Sequence, residues 1–177
     1  MNEIIKKNGI NYGVITGVVT ILVNVLVYLI DVTLMIDFLM YQLPLLLFYI
    51  VFAVVLLSKT KKQLNGIYSF KDAFTTYFIY AVVGMVISLI FSYILFNFID
   101  TQAADTIKEA SIEKIVATFE KFNIPIDANT EAKLQEMQGK NMYSLTELLK
   151  GSAFGLIFSV IIGLILALIF RSKPQVE

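Results

Sequence analysis

The 177 residues carry 14 basic and 14 acidic side chains, a formal charge of zero, and 58% of them are apolar against 16% charged. The absence of Cys, His and Trp removes disulfides, thiol nucleophiles, imidazole bases and the usual zinc ligands. A mean hydropathy of +0.78 is more than a water-soluble core of this length can bury, so composition points to one domain held in a membrane.

Crossing about 30 Å of hydrocarbon takes about 20 helical residues. Four uncharged stretches meet that length: about 11–30, 38–57, 74–98 and 152–170. In lipid every backbone polar group must be satisfied within the protein, and barrel strands would be shorter and alternating, so the spans are predicted as helices. The expected fold is all-α, an integral membrane four-helix bundle forming one membrane domain over 1–177, with an extracytoplasmic helical insertion over 100–149 between the last two spans.

In the first span Gly9, Gly13 and Gly17 recur every fourth residue and so share one helix face, where two backbones can approach closely. Lys6 and Lys7 ahead of an apolar run resemble a secretory signal, but Tyr28, Leu29, Ile30 and Asp31 offer no small-residue cleavage site, so an uncleaved helix is expected. Asn24 is the one amide at depth, and an interhelical hydrogen bond is its expected role. Asp31 and Asp37 flank a tight hairpin; as a pair they suit a cation or a shared proton, and separately they are helix-end punctuation.

The second span has Pro44 near its start, where a missing N–H costs little, and only Ala53 as a small residue. It is expected to cover a flank of a tight trio formed by the other three spans. Lys59, Lys61 and Lys62 follow as a basic cluster suited to anionic lipid. Gly66 is a turn glycine, and Ser69 with Asp72 reads as a capping box that starts the third helix, with Tyr68, Phe70 and Phe74 as interfacial anchors. Gly84, Ser88 and Ser92 make a second small stripe; Asn97 near the end of that span is expected to be solvated.

Thr101 to Phe122 repeats apolar residues at helical spacing, Asn123, Ile124 and Pro125 break it, and Thr130 is the expected cap of a short helix ending at Gly139. This helical pair either folds its apolar face onto the mouth of the bundle or docks a partner. Ser144 with Glu147 starts the last helix, along which Gly151, Gly155, Ser159, Gly163 and Ala167 form the longest small-residue row, a packing seam within the chain or between two copies.

Basic residues resist translocation, so their distribution orients the chain. The amino end, the 59–72 connection and the tail hold eight bases (Lys173 among them) and three acids (Glu177 among them), a sum of +5; the other side holds six Lys and eleven acids, a sum of −5. Both termini are therefore expected in the cytoplasm.

Tyr12, Gly13, Thr16 and Gly17, together with the run Asn65 to Phe74, resemble the DUF 4199 family. Those are small bacterial membrane proteins, mostly from the Bacteroidota, with four predicted spans and a long segment between the last two. The resemblance implies a bacterial inner-membrane setting and supplies no activity. It also marks Gly66, Ser69, Phe70 and Asp72 as a cytoplasmic motif, structural or a contact site.

No catalytic residue, cofactor or metal site can be assembled from this inventory, and nucleic acid is not an expected partner. The function expected is that of a non-enzymatic assembly or interaction component of the inner membrane, in contact with lipid and with either a second copy or an unidentified membrane partner. The alternative is a small-solute transporter or channel component working through Asn24 or the Asp31 and Asp37 mouth; a carboxylate-based membrane enzyme is more remote.

Overall fold

A computed structural model describes residues 2–172, so Lys173 and Glu177 lie outside the described residues. Six α-helices follow in order: α1 (Glu3–Ile30), α2 (Leu43–Gln63), α3 (Phe70–Ile94), α4 (Thr101–Lys121), α5 (Ala128–Gly139) and α6 (Leu145–Phe170). Four helical units are long and apolar enough to cross a membrane: α1; α2 with the π turn Phe38–Gln42 before it; α3 with the π turn Leu95–Ile99 after it; and α6. The turn before α2 has a local cause. Pro44 cannot donate an N–H and its ring crowds the carbonyl four residues back, and the widened turn relieves both.

α1, α3 and α6 outrun their apolar stretches because their caps lie outside them. Asn2 Oδ1 accepts from Ile4 N at 2.8 Å, Ser69 Oγ from Asp72 N at 3.1 Å, and Ser144 Oγ from Glu147 N at 3.4 Å. The last two are the capping boxes read from sequence. Both ends of the described chain and the α2–α3 turn share one end of the bundle, the terminal end; α4 and α5 sit at the other, the insertion end.

α3 is the central helix. On one face, α1 runs parallel to it with Ile79, Val83 and Ile87 seated on Gly9, Gly13 and Gly17. A Cβ at Gly13 would lie 2.7 Å from Val83 Cβ and 2.8 Å from the Tyr80 carbonyl oxygen, so the two backbones meet through glycine alone. On another face, α6 packs antiparallel at its terminal half, where a Cβ at Gly163 would fall 2.4 Å from the Tyr77 ring and Ala167 is fully buried.

Two expectations change. α1 and α6 do not touch, because α3 stands between them, so there is no tight trio. Nor is α2 a mere flank, since Ala53, Leu56 and Leu57 are fully buried in the main core with Tyr68, Ala73, Tyr77, Tyr80, Leu166 and Ala167.

That core fills the terminal half. Tyr68, expected at the membrane surface, is fully buried; its hydroxyl donates to Thr76 Oγ1 at 2.8 Å and its N–H to Ser172 Oγ at 2.7 Å, and Ser172 N donates to Tyr68 O at 2.7 Å. The turn itself needs Gly66, whose φ is +81°.

At the insertion end a second core joins Leu95 and Phe96 to Ala103, Ala104 and Ile107 of α4, with Tyr28 and Tyr143 against them. Asp100 pins α4 there, one oxygen accepting from Ala103 N at 2.9 Å and the other from the Tyr28 hydroxyl at 2.6 Å. Asn97, expected to be solvated, instead donates to Tyr143 O at 2.8 Å and accepts from Asn141 Nδ2 at 2.9 Å, tying the start of α6 to the end of α3. The apolar face of α4 is fully buried only in its first two turns, with Ile112, Ile115, Val116 and Phe119 half-buried; Phe122 at its end is exposed. Asp127 rather than Thr130 caps α5, accepting from Thr130 N at 2.8 Å, because an Asp three residues earlier already offers the acceptor. α5 buries none of its residues and among the helices touches only α4.

Candidate functional site

From the Tyr77–Gly163 contact toward the insertion end, α6 diverges from α3. A Cβ at Gly151 or Gly155 would meet nothing within 4 Å. The long small-residue row therefore divides: Gly163 and Ala167 pack, Ser159 reaches the Tyr77 hydroxyl at 3.1 Å, and Gly151 and Gly155 face a space. Gly84, Ser88 and Ser92 face the same space from α3, with Gly84 also 3.5 Å from the Gly13 carbonyl oxygen by its would-be Cβ. With Leu46, Tyr49 and Ile50 of α2 as a third wall, these helices enclose a mostly apolar groove of about 1350 Å³. That exceeds the roughly 300–1,000 Å³ of ordinary small-molecule sites.

The groove ends on polar side chains. Tyr49 meets Thr20 Oγ1 at 2.9 Å, and the Tyr80 hydroxyl donates to the Tyr49 carbonyl at 3.0 Å, so these tyrosines tie α1, α2 and α3 together beneath the space. Thr16 and Ser88 lie beside it, with Thr16 Oγ1 and Ser88 Oγ buried away from the space and without a hydrogen-bond partner among the described residues. Thr16 is 0% exposed. An orphaned buried hydroxyl costs about 1–3 kcal/mol, so two beside one space are a feature to be explained.

Charges gather at the mouth. α5 contributes Lys133, Glu136 and Lys140, and α6 contributes Glu147 and Lys150. Glu136 pairs with Lys140, and Glu147 with Lys150 at 2.7 Å, leaving Lys133 without an ion pair among the described residues. The Lys140 ammonium, hydrogen-bonded to Glu136, holds that carboxyl below its ordinary value, and the same contact raises Lys140.

The polar residues singled out in the sequence lie elsewhere. Asn24 accepts a hydrogen bond from the Tyr41 hydroxyl, an interhelical tie outside the groove. Asp31 accepts from Thr33 N at 2.8 Å and Thr33 Oγ1 at 2.7 Å, which lowers its pKa. Asp37 accepts from Leu39 N and Met40 N, both at 2.9 Å, and meets Lys114 Nζ at 3.4 Å. Those bonds, the Met40 N–H first, lower its pKa as well. The two carboxylates thus serve separate turns, and among the described residues no three acidic side chains converge as a metal site.

Gly66, Ser69, Phe70 and Asp72 lie at the terminal end: Ser69 Oγ donates to Asp72 Oδ2 at 2.7 Å, and Phe70 stacks on Phe74 with ring centroids 6.4 Å apart. Their loop is where Ser172 docks. The sequence alone assigned no site role to Thr16, named there only in the family resemblance, nor to Tyr49, Tyr77 and Tyr80. Thr16, Thr20 and Asn24 recur every fourth residue along α1, a polar row beside the glycine row, and that was the available signal.

No curated protein and no solved structure matches the chain. A family model described as "Protein of unknown function (DUF4199)" matches residues 11–172. The chain, a multi-pass membrane protein by its four apolar helices, therefore belongs to the DUF4199 family.

Proposed function

We propose that this protein is a non-enzymatic assembly or interaction component of the bacterial inner membrane, with both termini in the cytoplasm. Its working surface is the groove between α2, α3 and α6, which receives a membrane-soluble partner. One observation carries the reading: two facing rows of small residues, of a kind that ordinarily zip helices together, here line a space that none of the described residues fills. Lipid-facing helices gain little from burying apolar surface, so shape and a few hydrogen bonds are what a partner would recognise there.

The transporter reading has less support. The groove closes on the Tyr77–Gly163 contact, and Asn24, Asp31 and Asp37 are not among its lining residues. The test is purification from the native membrane in mild detergent, with the mass and composition of the particle determined for the wild type and for Gly155→Phe. A stoichiometric companion, protein or lipid, lost on filling the groove is the expected result; particles of identical composition would refute the reading.

A further inference from the structure

We infer that the tip joining α4 to α5 is a lipid anchor, with Phe122, Ile124 and Ile126 reaching into the bilayer surface on the insertion side, beyond the edge of the bundle. The anchor is separate from the groove and does not depend on what the groove holds.

The tip is apolar where a turn facing water is ordinarily polar. Between Lys121 and Asp127 only Asn123 is polar, and Phe122, Ile124 and Ile126 are 65%, 49% and 40% exposed. Single exposed apolar side chains are common, whereas a contiguous group marks a surface that meets protein or lipid.

The register of the helices favours lipid. α1 runs parallel to α3 with Gly13 on Val83, so Asp31 comes level with Thr101, next to Asp100. α1 runs antiparallel to α2, with Thr20 on Tyr49 and Asn8 on Thr60, so Asp31 is level with Asp37 and Phe38 as well. The three carboxylates, each capping a turn or helix, therefore share one plane. Ile30, Phe38, Leu39 and Ile99 are exposed beside or just inside it, as lipid-facing residues would be. A charged cap belongs outside hydrocarbon, so this plane is the lipid boundary.

α4 lies along that boundary. It starts there at Asp100, bonded to Tyr28, and is still there at Lys114, whose Nζ donates to the Ile36 carbonyl at 3.0 Å and meets Asp37 at 3.4 Å. Fourteen residues separate these two anchors, about 21 Å of helix, which is far more than a lysine side chain can span. An upright α4 is thus excluded, and Ala110 and Ala117 accordingly line a small recess with Thr33 and Asp37. From Asp100, at the end of the central helix, to Phe122 is about 33 Å of helix, while packed helix axes stand about 8–10 Å apart. The tip therefore overshoots the bundle and lies over lipid. Phe122 follows Ala104 by eighteen residues, about five turns, and so leaves α4 on the side of that buried residue. A helix lying flat at the boundary with apolar side chains turned toward the acyl chains is the geometry of an interfacial anchor. Lys121, with its ammonium 5.9 Å from the Phe122 ring, can keep its charge among the headgroups.

The chain has no Trp, so a single introduced Trp reports alone. The full chain is reconstituted in phosphatidylcholine vesicles as Phe122→Trp, Ile124→Trp or Glu109→Trp; Glu109 is exposed on the face of α4 opposite the buried Ile107. All three positions are exposed, so the larger ring displaces no core. The expected result is that both tip variants emit to the blue, lose most of their emission to lipids brominated on the acyl chains and little to aqueous iodide, while Glu109→Trp does the reverse. Tip variants quenched by iodide and untouched by brominated lipid would place the tip in water and overturn the inference. Blue emission that neither quencher reaches would mean that protein, such as a second copy, covers the tip, and would overturn it as well.

Discussion

At Gly13 the distance that matters is to backbone. A methyl there would press on the Tyr80 carbonyl oxygen, which cannot rotate away as the tip of a side chain could, whereas at Gly84 the same methyl reaches only ordinary contact with the Gly13 carbonyl. Gly13→Ala is therefore expected to cost about 1–3 kcal/mol by overpacking. Gly84→Ala should be nearly silent, and thermal unfolding of the two purified variants side by side checks the contrast. Tyr68 offers a second comparison of this kind. Tyr68→Phe keeps the buried ring and removes the bond to Thr76, a loss of about 1 kcal/mol; Tyr68→Ala removes the ring as well and should cost about 3–5 kcal/mol. Both numbers are read as shifts in the unfolding midpoint. The glycines of α1 were legible in the sequence because a four-residue period of small side chains has one physical meaning in a membrane helix. Tyr68 was not, since an aromatic beside a span fits the bilayer surface as well as it fits a core, and only the return of the chain at Ser172 decides between them.

Helices, caps and spans were almost wholly readable, because apolar length and Ser–x–x–acid spacing are local signals. The packing order was not. A small-residue row says that a helix can approach another closely, and it does not say over how much of its length; on α6 the row packs at Gly163 and Ala167 and stands open at Gly151 and Gly155. For the same reason Asn97 and Asp100 could not be assigned, since their partners lie on α1 and in the approach to α6. The Asp100 contact carries a pH prediction. The Tyr28 hydroxyl, then the Ala103 N–H, lower the Asp100 pKa from its ordinary 3.8. A depressed carboxylate stabilises the folded state above its unfolded pKa and loses that contribution as pH falls through the folded value. The docking of α4 should hold at neutral pH and loosen below about pH 4, seen as faster amide exchange over 101–110. Tyr28→Phe should move the loosening to higher pH, toward the ordinary carboxyl value.

Across the whole molecule, burial is uneven. The terminal half is tied by a continuous core and by Asn8, whose side chain donates to Thr60 Oγ1 at 3.0 Å and Gln63 Oε1 at 2.6 Å. The insertion half opens around the groove, with Asn97 bonded to Tyr143 just ahead of α6 and Tyr77 to Ser159 within it. The basic terminal end and acidic insertion end support the proposed orientation. Reporter fusions at Lys62 and Asn129 are expected on opposite sides of the membrane, Lys62 inside; the same side for both would exclude it. The groove itself could not be foreseen, because facing small residues are the sequence pattern of a closed seam, and an open one differs only in the angle at which two helices leave their shared contact.

That angle is the centre of the account, and thermal unfolding of Gly155→Leu and Gly163→Leu in one delipidated detergent tests it directly. An open groove predicts that Gly163→Leu, driven into the Tyr77 ring, loses its cooperative transition or falls by many degrees, while Gly155→Leu unfolds with the wild type. Equal losses from both would mean that α6 packs on α3 along its whole length, and there would be no groove for any partner to enter.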